Sequence, residues 1–320
     1  MPTGRRDVGA TAVTCALGDW TLQTTGNAVL VLITAAGSPP LVVDEVAGWL
    51  DCDSRRLTWL SPGEACELAL GASVADSQSA LARARASVGT RPVDVALVSS
   101  DGRRKRLLVA DMDSTIIQQE CIDEMADMMG LKPRIAAITE RAMRGELDFA
   151  AALRERVGLL AGLAESELAR VFAERIQVMP GARTLVATMR ASGAYTALVS
   201  GGFTYFTSRV ASAVGFDMNS ANRLVIEKGR LTGEVEEPIL GREAKLETLS
   251  ALAAERGIAA GLTLAVGDGA NDLAMIRAAG LGVAYRAKPI VAAEAAAQIN
   301  HTDLTALLYL QGYRRDEFVG

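Results

Sequence analysis

The stretch Leu107-Leu108-Val109-Ala110-Asp111-Met112-Asp113-Ser114-Thr115 decides the architecture. Four consecutive apolar residues fit a strand buried on both faces, the habit of parallel sheets covered by helices. Such a strand delivers whatever follows it to the carboxyl edge of the sheet, where open α/β sheets bind their ligands. Here it delivers two aspartates two residues apart, then two hydroxyls. Carboxylates so placed repel each other and lose hydration, so a proton or a cation must intervene.

The same grammar recurs downstream. A strand at 195–199 runs into Ser200-Gly201-Gly202, and one at 262–266 into Gly267-Asp268-Gly269-Ala270-Asn271-Asp272. Helical patterns at 182–191, 204–214, 243–256 and 271–279, a hairpin around Lys228-Gly229 and a strand at 281–284 complete the alternation. This predicts an α/β fold with a doubly wound parallel sheet. Between the first strand and residue 180 only helices are expected, at about 119–129, 133–144, 148–160 and 165–175. Pro133 suits a first helical turn, Asp148 an N-cap, and Gly130 and Gly145 helix ends. This block, about 119–180, reads as a helical cap inserted over the sheet edge.

Upstream, residues 1–102 read as a small α+β unit and 103–320 as the catalytic domain. Strand candidates are Asn27–Thr34, Arg55–Leu60 and Val93–Ser99; helix candidates are Leu41–Leu50 and Ser73–Val88. The βαββαβ-like order suggests an ACT-like regulatory domain binding an amino-acid effector, or else a homodimerisation domain. Ser99-Ser100-Asp101-Gly102 reads as a turn or linker, and Arg103 to Arg106 as a solvated strand entrance.

Composition narrows the chemistry. A chain of 320 residues, half of them hydrophobic, can bury a large core in about two domains. Its net charge of −5 argues against nucleic acid as a partner. The single histidine, His301, restricts any His-based nucleophile or zinc site to one imidazole and reads as part of a helix entrance. Cys15, Cys52, Cys66 and Cys121 form no C-x-x-C pair, which points to reduced thiols and a cytoplasmic protein. No apolar run reaches the roughly 18 residues of a membrane span, and Val8–Gly18 makes a poor secretory segment.

The strand ends therefore carry the function. Few carboxylates with room for water suit Mg²⁺. Ser200 and the Gly201 amide suit phosphoryl oxygens, and Lys245 supplies a mobile positive charge. Together these groups describe phosphoryl transfer by positioning and charge neutralisation. No P-loop or nucleophile-elbow spacing competes with them.

Asp111-Met112-Asp113-Ser114-Thr115, Ser200-Gly201-Gly202, Lys245 and Gly267-Asp268-Gly269-Ala270-Asn271-Asp272 resemble the four motifs of haloacid-dehalogenase-superfamily phosphatases, and within them the phosphoserine phosphatase family. The similarity runs from about Arg106 to Leu308 and includes Gln119 to Glu124, Ala221 to Leu224 and Ala287 to Ile290. The resemblance implies hydrolysis of O-phospho-L-serine, the last step of serine biosynthesis, through a phosphorylated Asp111, with Asp113 as acid and base. It implies Mg²⁺ held by Asp111, the Asp113 carbonyl and Asp268, with Asp272 behind them. It further implies that Ser200, Gly201, Lys245 and Asn271 bind phosphate. Glu120 would meet the substrate ammonium, Arg156 its carboxylate, and Met143 and Phe149 would wall the pocket. Alternatives are another small phosphomonoester, such as phosphohomoserine, phosphothreonine or a sugar phosphate, or a signalling receiver in which phospho-Asp111 persists.

Overall fold

The computed structural model describes residues 27–320 apart from Ala72 and Gly145; the readings of Val8–Gly18 and Cys15 lie outside the described residues. The first unit runs β1 (Ala28–Thr34), α1 (Val43–Leu50), β2 (Leu57–Ser61), β3 (Ala65–Ala69), α2 (Val74–Val88) and β4 (Val93–Ser99). Its strands form one sheet in the order β2-β3-β1-β4, antiparallel throughout. The expected order is present. No stretch was assigned to its second central strand, β3, because Glu67 interrupts a five-residue stretch with no β-branched residue; its partner across the Pro62-Gly63 turn supplies the pairing.

Alternation along β1 sorts its side chains into two cores. Leu30 and Leu32 pack under α1 and α2, with Val46, Leu50 and Val88. Val29, Val31 and Ile33 face the other way and join a cluster containing Leu307, Leu308 and Tyr309 from the far end of the chain. Both faces of this small sheet are thus covered.

The second unit begins with β5 (Leu107–Ala110), followed by a wide turn at Met112–Ile116. The cap is α3 (Cys121–Met128), α4 (Lys132–Met143), α5 (Phe149–Gly158) and α6 (Glu165–Glu174). Then come α7 (Ala182–Ala191), β6 (Tyr195–Phe203), α8 (Thr204–Val214), β7 (Met218–Asn222), the hairpin β8 (Leu224–Glu227) and β9 (Arg230–Val235), and α9 (Glu243–Glu255). The chain closes with β10 (Thr263–Gly267), α10 (Leu273–Ala278), β11 (Leu281–Tyr285), α11 (Pro289–Ala292), β12 (Ala297–Ile299) and α12 (Ala306–Leu310). The sheet order is β12-β11-β10-β5-β6-β7, and every pairing in it is parallel. β5 lies between β10 and β6, so Ala110 stands level with both Val266 and Leu198. That register is what brings Asp111, Asp268 and Ser200 to one edge.

Two sequence readings need correction. Arg103 to Arg106 is a solvated entrance only in part: Arg104 and Arg106 are exposed, but Arg103 and Lys105 are not. Arg103 pairs with Glu67 of β3 at 2.8 Å, both side chains largely covered, and donates to the Tyr309 and Leu310 carbonyls. Lys105 is buried, with its ammonium on the Gly102 and Gly261 carbonyls. The cluster bolts the two units together. His301 does not enter a helix: α12 starts at Ala306. Its backbone N–H, with those of Asn300 and Thr302, donates to the buried Asp94 of β4.

Candidate active site

Asp111 directly follows β5, with its backbone N–H on the Val266 carbonyl. Its Oδ1 accepts from the Met112 N–H at 2.8 Å and from Lys245 Nζ at 2.7 Å. Lys245 reaches in from the first turn of α9, almost fully buried, and gives a second bond to Asp272 Oδ1 at 2.5 Å. Asp272 is spent on structure: its Oδ2 accepts from the Asp268 and Gly269 amides at 3.1 and 2.9 Å. Gly267 is required there, since a Cβ on it would stand 2.3 Å from the Asp272 carboxyl carbon, whereas one on Gly269 would meet only the tip of the Asn271 side chain, at 2.4 Å.

Asp113 follows within the wide turn. Its Oδ1 accepts from the Cys121 N–H, the first residue of α3, at 2.8 Å, and its Oδ2 from the Ser200 hydroxyl at 3.0 Å. Ser200 in turn accepts from the Gly202 N–H. Ser200 thus stands at the same sheet edge as Asp111 and aims its hydroxyl at Asp113, the acid/base candidate.

Oxygen atoms from Asp111, Asp268 and Asp272 lie within 4.8 Å of one another. With Asp272 saturated by amides and Lys245, Asp111 and Asp268 keep open carboxylate oxygens, a donor set that fits a hard divalent cation with water completing it. Thr115 steadies Asp268 through a long 3.4 Å contact.

Charge crowding shows in the titration. Burial, then Asp272, pushes Asp111 well above the carboxylate range despite Lys245. Burial raises Asp113 as well, against the pull of Cys121 and Ser200. Burial and Asp272 lift Asp268 to about 6. Burial, Asp113 and Asp268 lift Glu120 to about 7. A carboxyl that holds its proton more tightly folded than unfolded favours the fold at low pH and loses that contribution as pH rises through its folded value. The metal-free protein should therefore lose thermal stability from about pH 4 to about pH 7, and Mg²⁺ should raise the melting temperature more at the upper end. Scanning calorimetry in EDTA and in Mg²⁺ reads both; a metal-independent, flat profile would remove the carboxylate cluster as the reason for metal binding.

The cap contributes the remaining side chains. Glu120 sits at the N-cap of α3 but makes no capping bond; it accepts instead from Ser114 Oγ at 2.7 Å. Ser114 achieves this in a left-handed conformation, φ 54°. Arg156 on α5 is half-buried, anchored through Nε to the Ala152 carbonyl at 3.2 Å. Its guanidinium feels the charges of Asp123 and Glu120. Phe149, first residue of α5, lies over the Ser200-Gly201 loop, its ring 3.0 Å from where a Cβ on Gly201 would stand. Asn271 is half-buried beside Gly269. Met143 ends α4, and its side chain lies outside the described residues.

The roles of Ser114, Thr115 and Asn222 escaped the sequence reading. Asn222, buried at the end of β7, donates to the Gly201 and Leu240 carbonyls and accepts from the Leu240 N–H. A lone asparagine at a strand end carries no local signal of such bridging. The Ser114-Thr115 pair sat inside the quoted motif, yet only the left-handed turn reveals which side chain each serves.

Profile comparison matches residues 108–277 to the haloacid dehalogenase-like hydrolases, and the chain belongs to that family. Within it, the similar proteins include phosphoserine phosphatases. One from Streptomyces coelicolor is 44% identical over 80% of this chain and 62% of its own length. One from Albidiferax ferrireducens is 48% identical over 64% of this chain and 89% of its own length. A solved phospho-aspartyl intermediate analogue of phosphoserine phosphatase superposes with a TM-score of 0.60 at 39% identity, covering 64% of this chain and 98% of that one. The chain thus spans under two thirds of the Streptomyces relative and nearly all of the shorter ones.

Proposed function

We propose that this chain is a Mg²⁺-dependent phosphatase hydrolysing O-phospho-L-serine to L-serine and phosphate, the closing step of serine biosynthesis. The observation that carries the reading is the nucleophile arrangement: Asp111, clamped by Lys245 and an amide, opposite an acid/base candidate, Asp113, held by Cys121 and Ser200. Relatives that bear this name, and a phospho-aspartyl analogue in one of them, support it.

Asp111 Oδ forms a bond to phosphorus while the bond from phosphorus to the serine oxygen breaks. Asp113, whose burial raises its affinity for a proton, gives that oxygen its proton. Water then attacks the aspartyl-phosphate, Asp113 takes the water's proton, and phosphate leaves with Asp111 restored. Lys245 neutralises negative charge on Asp111 and has a third proton for a phosphoryl oxygen. Asp111, Asp268 and the Asp113 carbonyl would hold Mg²⁺, which when bound offsets the charge of the phosphoryl oxygens. The Ser200 hydroxyl and Gly201 amide would take phosphoryl oxygens once substrate displaces the Ser200–Asp113 bond, with Asn271 beside them.

For substrate choice, one cap carboxylate and one cap guanidinium match an amino acid's ammonium and carboxylate. A phosphomonoester panel tests this with Arg156→Ala. Activity on phosphoserine should fall about 10²-fold, the scale set by leaving a substrate charge unpaired, while p-nitrophenyl phosphate turnover stays put. Equal losses on both substrates would hand the reading to another small phosphomonoester, such as phosphohomoserine, phosphothreonine or a sugar phosphate. A persistent phospho-Asp111 receiver fits poorly with an acid/base candidate beside the intermediate.

A cytoplasmic location belongs to the same proposal; among the described residues no helix is long and apolar enough to cross a membrane. The N-terminal unit is proposed as a regulatory or dimerising domain. Because both of its sheet faces are covered within the chain, an amino-acid effector or second copy would engage its edges or helices.

A further inference from the structure

Phe149 lies against Gly201, so the cap rests on the Ser200-Gly201 loop, and any opening of the cap for a phosphomonoester would part the two. What travels with the cap is set by its other contacts. The loop between α5 and α6 is laced to the hairpin. The Gly162 N–H donates to the Leu231 carbonyl at 2.8 Å, the Leu231 N–H to the Leu163 carbonyl at 2.9 Å, and the Glu165 N–H to the Gly229 carbonyl at 2.9 Å. Arg230 Nη1 adds a bond to the Gly162 carbonyl at 2.7 Å, and Ala164 pairs with Arg230 as a short antiparallel bridge. Gly233, φ 92°, lies so close that a Cβ there would stand 2.9 Å from the Ala161 Cβ. Leu231 and Leu224 are buried in one cluster with Val157, Leu160 and Leu163 of the cap. This is a strand-like annex to the cap, and its apolar residues belong to the large cluster that also includes Leu108 and Val266 of the sheet.

The cap's own entry and exit are a narrow ribbon: Ile117 opposite Val178, with Gln118 and Met179 donating to Gln177 and Ile116 carbonyls. At the hairpin's base, Asn222 ties Gly201 to Leu240, five residues before Lys245. From this connectivity we infer that the cap and the β8–β9 hairpin move as one body, and that their closure is delivered through Asn222 and Leu240 to the Gly201 loop and the lead-in to Lys245. Closure thereby sets the phosphate-binding groups at the same moment that Glu120, Phe149 and Arg156 arrive. The inference rests on the phosphatase reading only in requiring entry of a phosphate ester; it does not depend on which one.

Two measurements test it. In Ala164→Cys/Arg230→Cys, oxidation staples cap to hairpin; cross-strand pairs of this kind bring Cβ atoms within disulfide range. Turnover of p-nitrophenyl phosphate should stay within about twofold of the reduced form, whereas a staple across a sliding joint would cost about tenfold or more, restored by reductant. That reversible loss would overturn the single body. Hydrogen exchange on the unaltered protein gives a second reading. The Gly162, Glu165 and Leu231 amides should exchange no faster than the hairpin's cross-strand amides, with or without Mg²⁺ and inorganic phosphate. Selectively faster exchange at those three amides in the free protein would show the cap leaving the hairpin behind. Absence of activity on every phosphomonoester would instead refute the function and leave the exchange result standing.

Discussion

Asp111→Asn should abolish turnover, by at least ~10⁴-fold, while leaving the fold intact. Asparagine keeps the shape and one oxygen for the Met112 N–H and Lys245, but a neutral amide cannot displace an alkoxide from phosphorus. The sign of the stability change sharpens the test. Asp111 resists ionisation because burial and Asp272 oppose its charge. Removing that charge at neutral pH should leave the metal-free variant at least as stable as the parent, and its stabilisation by Mg²⁺ should shrink. Residual turnover within about a hundredfold of the parent would point to another nucleophile.

Lys245→Met is expected to be damaging on two counts. The ammonium lies between two buried carboxylates at 2.7 and 2.5 Å. Deleting one member of a buried ionic group costs about 3–5 kcal/mol, because the partners stay behind unpaired. Turnover should fall about 10²–10³-fold as well, the usual loss when one preorganised cation or donor is withdrawn from a developing oxyanion. Melting curves separate the effects. The deficit should be largest near neutral pH and narrow on acidification, as protonation relieves the orphaned carboxylates. An undiminished melting temperature at neutral pH would mean that Lys245 does not hold this cluster together.

Legibility varied with how local the determinant was. β5 was plain from four apolar residues, since an interior parallel strand touches hydrocarbon on both faces. The cap helices were readable from caps and periodicity: Asp148 does accept from the Ala151 N–H, and Pro133 sits in the first turn of α4. β7, Met218-Asn219-Ser220-Ala221-Asn222, has no such signature. It is an edge strand, and β6 supplies the pairing that its own side chains do not announce. The basic run at 103–106 misled for a related reason: charge density suggests water, but Arg103 and Lys105 meet Glu67 and backbone carbonyls from distant segments.

Local pattern was enough to determine that three strands end in Asp111-Met112-Asp113, Ser200-Gly201 and Gly267-Asp268, that helices intervene, and that a helical insertion precedes residue 180. Those properties depend on neighbours a few residues apart, where apolar spacing and turn chemistry act. Only the tertiary structure decided that Lys245 chooses Asp111 and Asp272, that Ser200 turns toward Asp113, that Asn222 spans two loops, and that the N-terminal sheet is sealed by the C-terminal helix. Each of these follows from strand order and side-chain reach across a folded core, and none is written in the spacing of residues along the chain.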